Sequence, residues 1–169
     1  GSPDETYPQL LPQLTLSDGS VLMPLAYFKD VEVEQNGDRT IITWHQDQSD
    51  RMGENVPQPD ARVRFETRYI FAPGTVSRQD RIIPADGVTI ARIDMAFASF
   101  SELPMVEENT VRYAAGDVAS LSVQGLQCES AEPGVEVHAA PTGAFRSVIA
   151  CNRRDMTGII ETSWALGWR

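Results

Sequence analysis

The stretch Arg64–Pro84, "RFETRYIFAPGTVSRQDRIIP", decides the fold. Two runs of alternating character flank Pro73-Gly74. Successive side chains of a strand point to opposite faces, so Val63, Phe65, Tyr69 and Phe71 share one side. Arg62, Arg64, Glu66 and Arg68 then share the other. A two-residue connection at Pro73-Gly74 sets Phe65 opposite Ile82 and Glu66 opposite Arg81. The stretch therefore reads as a β-hairpin with one dry and one wet face. Proline at the first turn position belongs to type I and II turns, which fit hairpins less well, so a longer loop or bulge is the alternative to this register.

The wet face (Arg62, Arg64, Glu66, Arg68, Gln79, Arg81) admits two readings. The blander is a solvated sheet face with cross-strand ion pairs, the ordinary state of one side of an antiparallel sheet. The functional one is a shallow groove in which arginine forks grip an anionic or hydroxylated ligand. Thr67, Arg78 and Asp80 share the dry face with Tyr69, Phe65 and Ile82. Polar groups there must find partners, and Arg78 with Asp80 reads as a structural ion pair.

Working outward, alternation with a period of two runs through most of the chain, and no ten-residue segment keeps a helical period. "DVEVE" and "RTIITWH" flank Asn36-Gly37, a strong hairpin signal. "VTIARIDMAFASF" reads as a long strand with Ile93, Met95 and Phe97 on one face and Arg92 and Asp94 on the other. Further strands are expected at "SVLMPLAYF", "TVRYAA", "DVASLSVQGLQC", "GVEVHA", "AFRSVIAC" and "GIIETSWALGW", and a break at "ELPMVEEN". About ten strands separated by turn signals imply an all-β, antiparallel two-sheet β-sandwich of jelly-roll type, filling residues 20–169 as one domain. Residues 1–19, with three prolines, read as an extended arm or linker. Without crossover helices a parallel α/β fold is excluded.

The chain has 169 residues, 24 Asp and Glu against 14 Lys and Arg, and a net charge of −10. That balance disfavours nucleic acid and anionic membrane surfaces as partners, since both require concentrated Lys and Arg. No apolar run is long enough for a transmembrane helix. Gly1-Ser2 resembles a cloning remnant, and the start shows no signal peptide, so the chain is expected to be a segment of a longer or processed protein. Cys128 and Cys151 each lie in a strand-like run. They read either as two buried thiols or as a bridge between neighbouring strands in an exported protein.

Candidate chemistry is sparse. "GxSxG" is absent, and neither His45 nor His138 has a triad context, so no catalytic residue is assigned. Asp47, Asp50, Glu54 and Asp60, in the polar segment 46–60, offer oxygen ligands of the kind calcium takes, though not in EF-hand order. The alternative is a solvated loop, and no other cofactor is expected. Trp44 and Trp164 read as core anchors. Trp168, on the same strand face as Trp164, is the tryptophan most exposed to a sugar ring, whose C–H face stacks on aromatics.

The runs "RFETRYIFAPGTVSRQDRI" and "IARIDMAFASFS", within the segment Arg62 to Glu102, resemble the β-sandwich portion of secreted polysaccharide lyases of the heparinase II/III-like kind. The similarity lies in a strand ending at a Pro-Gly turn, a return strand with "RxDRI", and a long strand ending in small residues. In that family the catalytic residues come largely from a helical toroid domain that has no counterpart here, so the resemblance implies a supporting or substrate-holding module and brings no catalytic residue.

The expected function is a non-catalytic carbohydrate-binding or substrate-positioning module of an exported bacterial carbohydrate-active protein, periplasmic or extracellular. Its partners would be a polysaccharide or oligosaccharide and adjacent domains of a longer chain. Arg64, Arg68, Arg81, Tyr69 and Trp168 are the expected sugar contacts. The alternatives are a small lyase-like enzyme with His45, Tyr69, Arg78 and Asp80 lining a cleft, and a structural domain without ligand.

Overall fold

The computed structural model describes residues 9–53, 55–99, 105–114, 116–130 and 147–169. Their strands are β1 (Gln9–Leu16), β2 (Val21–Met23), β3 (Lys29–Asn36), β4 (Arg39–Gln46), β5 (Ser49–Met52), β6 (Gln58–Asp60), β7 (Val63–Ala72) and β8 (Thr75–Pro84). They continue as β9 (Ile90–Ser99), β10 (Met105–Glu107), β11 (Thr110–Arg112), β12 (Val118–Gln124), β13 (Gln127–Ser130), β14 (Ser147–Arg154) and β15 (Ile160–Trp168). Every described pairing is antiparallel. A seven-stranded sheet has the order β13-β14-β9-β1-β2-β5-β6, and an eight-stranded sheet the order β10-β11-β12-β15-β8-β7-β4-β3.

The two-sheet sandwich is the expected one, with fifteen described strands rather than about ten. The additional strands are short. β5 and β6 lie inside the polar segment 46–60, expected as a loop, and β10 lies in the expected break. Alternation cannot register in three or four residues at a sheet margin, where polar side chains can supply the contacts. Ser49 is fully buried by donating its hydroxyl hydrogen to the Val63 carbonyl. Within segment 1–19, expected as an arm, Gln9–Leu16 is an interior strand paired with both β9 and β2. A register shift between Gln9 and Gln13 spans Pro12, which lacks a ladder donor. The expected strand "GVEVHA" lies outside the described residues.

The hairpin of β7 and β8 closes through the two residues Pro73 and Gly74, with Phe65 opposite Ile82 and Glu66 opposite Arg81, the register of the two-residue connection rather than of the longer loop. Gly74 has φ 72°, the positive value that the second central position of a type II turn demands. The turn joining β3 and β4 sits one residue later than expected: Asn36 pairs with Arg39, and Gly37-Asp38 is the loop, with Gly37 at φ 64°.

Between the sheets, Leu14, Leu22, Ile93, Met95 and Ile149 of the seven-stranded sheet meet Val63, Phe65, Ile82, Leu121 and Trp164 of the eight-stranded one. Burying each such side chain contributes roughly 1.5–3 kcal/mol, so this layer is what holds the sheets face to face. Two further features fix the strands, a crosslink within one sheet and a passage between the two. Cys128 and Cys151, directly opposite on β13 and β14, form a buried disulfide. The chain also passes from one sheet to the other between β12 and β13, at Gly125 (φ 83°), where any Cβ would collide with the Glu161 carbonyl oxygen. Only glycine fits a positive φ under that close approach.

Candidate functional site

The outward face of the eight-stranded sheet carries a groove of about 680 Å³. Its lining is laid down by register. One transverse row runs Gln124, Ser163, Gln79, Arg68, Thr43 across β12, β15, β8, β7 and β4. The next runs Glu161, Arg81, Glu66 and on to His45. Neighbouring strands lie about 4.8 Å apart, so each row presents a hydrogen-bonding group at each such interval. The first row is mostly neutral, with amides and hydroxyls that both donate and accept. The second alternates in sign: the Arg81 guanidinium donates to Glu66 at 3.3 Å, both side chains about half exposed.

The inward face of the same sheet differs in character. Arg78 and Asp80 are buried and joined by two hydrogen bonds, Nε to Oδ2 at 2.7 Å and Nη2 to Oδ1 at 2.8 Å. Thr67 donates its hydroxyl to Asp80, and Arg78 donates to the Tyr69 hydroxyl. The guanidinium carbon also lies 5.2 Å from the Tyr69 ring centre and 6.0 Å from that of Trp44. Burial opposes the Arg78 charge, but the bonds and attraction of Asp80, helped by Tyr69, outweigh it and hold the guanidinium above its ordinary value. This is the structural ion pair that the hairpin pattern implied. Trp44, Tyr69 and Phe71 extend from it as a ledge, with Phe28 set edge-on against Trp44. Phe28 and Phe71 are exposed there.

The expected sugar contacts therefore divide between two faces. Arg68 and Arg81 line the groove, and Arg64 stands on the same face beside it. Tyr69 points inward, and Trp168, 40% exposed, follows the inward alternation of Trp164 and Leu166 at the end of β15. His45 faces outward between Asp30 and Asp47, so it does not share a cleft with Tyr69, Arg78 and Asp80. Thr43, Gln124, Glu161 and Ser163 were not anticipated. Alternation gives their facing, but nothing local says that β12 and β15 lie beside β8.

Of the carboxylates expected to suit calcium, those described each have partners of their own. Asp50 accepts from the backbone N–H groups of Leu25 and Ala26, and Asp47 accepts from Lys29 at 2.8 Å. Asp60 is held by Arg62, and Glu54 lies outside the described residues. Among the described residues no three His, Cys, Asp or Glu side chains gather as a metal site.

No family model and no curated protein matches the chain. Solved structures do. Heparan sulfate lyase HepC from Pedobacter heparinus superposes with a TM-score of 0.54 at 12% identity, over 83% of this chain and 21% of the lyase. A mutant of the same lyase gives a TM-score of 0.55, again at 12% identity and over the same shares of the two chains. A heparinase III structure gives 0.53 at 10% identity, over 82% of this chain and 21% of the other. At such identities the likeness is one of fold. The chain thus resembles a β-sandwich part of heparinase-type polysaccharide lyases, as its hairpin and long strand indicated, and it spans about a fifth of their length.

Proposed function

We propose that this domain is a non-catalytic module that binds or positions a glycan along the outward groove, within an exported bacterial carbohydrate-active protein. The observation that carries the reading is the pair of transverse rows, which offer amide, hydroxyl and guanidinium groups at a regular spacing across five strands. A linear sugar polymer presents hydroxyls in a comparable repeat and needs both donors and acceptors along its length. The buried disulfide favours an oxidising compartment, hence the periplasm or the cell exterior. The fold likeness to polysaccharide lyases supports the carbohydrate setting.

Affinity electrophoresis through gels containing neutral and acidic polysaccharides tests it. The domain is expected to be retarded by at least one polymer, and Arg68→Ala or Gln79→Ala to weaken that retardation roughly tenfold, the effect of losing one or two good polar contacts. Full mobility in every gel would refute the reading.

A docking role is the second reading, and the aromatic ledge favours it: Phe28, 50% exposed, is set against Trp44, and Val33, 67% exposed, stands opposite Ile42 on the neighbouring strand. Apolar side chains grouped in this way mark contact surfaces. Self-association of the pure domain, abolished in Phe28→Ser/Phe71→Ser, would support docking; a strictly monomeric domain that binds glycan would leave the groove as the functional face.

A further inference from the structure

Among the described residues the two sheets end at β6 and β13 and at β10 and β3. Three of these edges are blunted. β6 and β10 have three residues each, β6 with Pro59 at its centre, and β13 has four and is crosslinked to its neighbour. Short strands and proline are common means of keeping an edge from pairing with another chain. β3 has neither: it runs for eight residues without a proline, and every one of them is exposed. Its register with β4 is unbroken from Glu32 to Asn36, after a shift that follows Lys29.

The two faces of this edge differ. Val33 ends an inward row that crosses the sheet as Trp164, Arg78, Tyr69, Ile42, Val33. The row leaves the interior as it goes, from Trp164 at 3% exposed to Val33 at 67%. Glu32 and Glu34, opposite Thr43 and Ile41, stand on the outward face. No ion pair joins either of them to a cation among the described residues. The edge thus presents carboxylate, valine, carboxylate in succession, beside a row of backbone groups that no neighbouring strand takes up. A second copy of β3 fits it badly. Antiparallel pairing with Val33 against Val33 sets Glu32 against Glu34, and pairing centred on Glu32 sets Glu32 against Glu32. Like charges directly opposite destabilise such a pair, and a slip of one residue mixes the two faces. The same carboxylates attract lysine or arginine in those places.

We propose that β3 is a docking edge that takes an extended, basic segment of another protein as an added strand. That segment carries an apolar side chain opposite Val33 and lysine or arginine opposite Glu32 and Glu34. Backbone hydrogen bonds supply the affinity of such an addition, and the alternate side chains choose the partner. The inference goes beyond the glycan reading and does not rest on it, and its test contains no glycan, so the two stand or fall separately.

The test titrates the whole domain with a capped, fluorescent peptide of alternating lysine and valine and follows hydrogen exchange in β3. Binding is expected, with slowed exchange at the β3 amides that β4 leaves free. Glu32→Lys/Glu34→Lys, two changes at exposed side chains, should weaken binding about tenfold or more, and should gain binding to a peptide with glutamate in place of lysine. Two further peptides, one N-methylated at its valines and one at its lysines, separate strand addition from plain charge attraction. An added strand turns every second N–H to the sheet, so one of the two should bind like the parent peptide and the other should fail. No binding of the lysine peptide, equal binding of the glutamate peptide, or equal behaviour of the two methylated peptides would overturn the proposal. So would β3 amides that are all protected before any peptide is added, which would give the edge to another part of this chain. A dimer of the domain that the double variant breaks would give it to a second copy and overturn the proposal as well.

Discussion

Arg78 carries a full charge where almost no water reaches it, 2% exposed between the sheets. It is tolerated because Asp80, Tyr69 and the Trp44 ring surround it, and because Thr67 takes up a further lone pair of Asp80. Removing one partner leaves the other buried and uncompensated, which costs about 3–5 kcal/mol. Arg78→Met should therefore lower the free energy of unfolding by that amount in urea titrations. Arg78→Met/Asp80→Leu should recover most of it, since a paired removal leaves no stranded charge. A single variant as stable as the parent would mean that the pair is not desolvated. At this scale the sequence was legible in part: alternation in "RYIFAPGTVSRQDRI" put Arg78 and Asp80 on the dry side and so implied that they bind each other. The same alternation put Tyr69 on the dry side, away from Arg64 and Arg68, so grouping them as sugar contacts followed residue type rather than facing.

At the scale of elements, β13 and β14 show how the edge of one sheet is secured. β13 is a four-residue edge strand, and it is bound to β14 by the Cys128–Cys151 bridge in the middle of their pairing. The bridge closes a chain segment with a sequence separation of 23. Loop closure of that size constrains the unfolded chain by about 3 kcal/mol. Cys128→Ser/Cys151→Ser should lose stability of that order in non-reducing urea unfolding. In the parent, thiol labelling should stay at zero until a reductant is added. Equal stability of parent and variant would argue that the unfolded chain is already compact around this segment. The sequence placed each cysteine in a strand-like run and left the bridge open, since opposition across two strands depends on a register that neither strand encodes alone. The same limit explains β5, β6 and β10, whose three or four residues become strands only because a neighbour is present to pair with them.

For the whole molecule, an ionic latch joins the turn between β1 and β2 to the chain between β6 and β7. Arg62 donates to Asp18 at 2.6 Å and to Asp60 at 2.8 Å. Hydrogen bonds from the Ser20 backbone and from Arg62 hold Asp18 down at about 2, and the Arg62 bonds hold Asp60 below its ordinary 3.8. Folded values below unfolded ones mean stability that is present above the ordinary carboxylate range and lost as pH falls through the folded values. The urea midpoint should thus be level from neutral pH to about pH 5 and then fall between about pH 4 and pH 2. Asp60→Asn should be less stable than the parent at pH 7, and the gap should narrow as the pH reaches 2. A gap of constant width would show that Asp60 acts through shape rather than charge.

Composition and period alone determined that this chain forms antiparallel sheets, that Phe65 and Tyr69 share one face of their strand, and that Ile93, Met95 and Phe97 share one face of theirs. Those properties follow from the two-residue repeat of an extended chain, in which each side chain's facing is set by its immediate neighbours. Tertiary structure decided the rest: that Gln9–Leu16 is an interior strand, that Gln124 and Ser163 join Arg68 in one groove, and that Arg154 is set against Arg92. Each is a matter of which strands lie side by side, and that is settled by how two sheets bury a shared interior, a quantity spread over residues far apart in the chain.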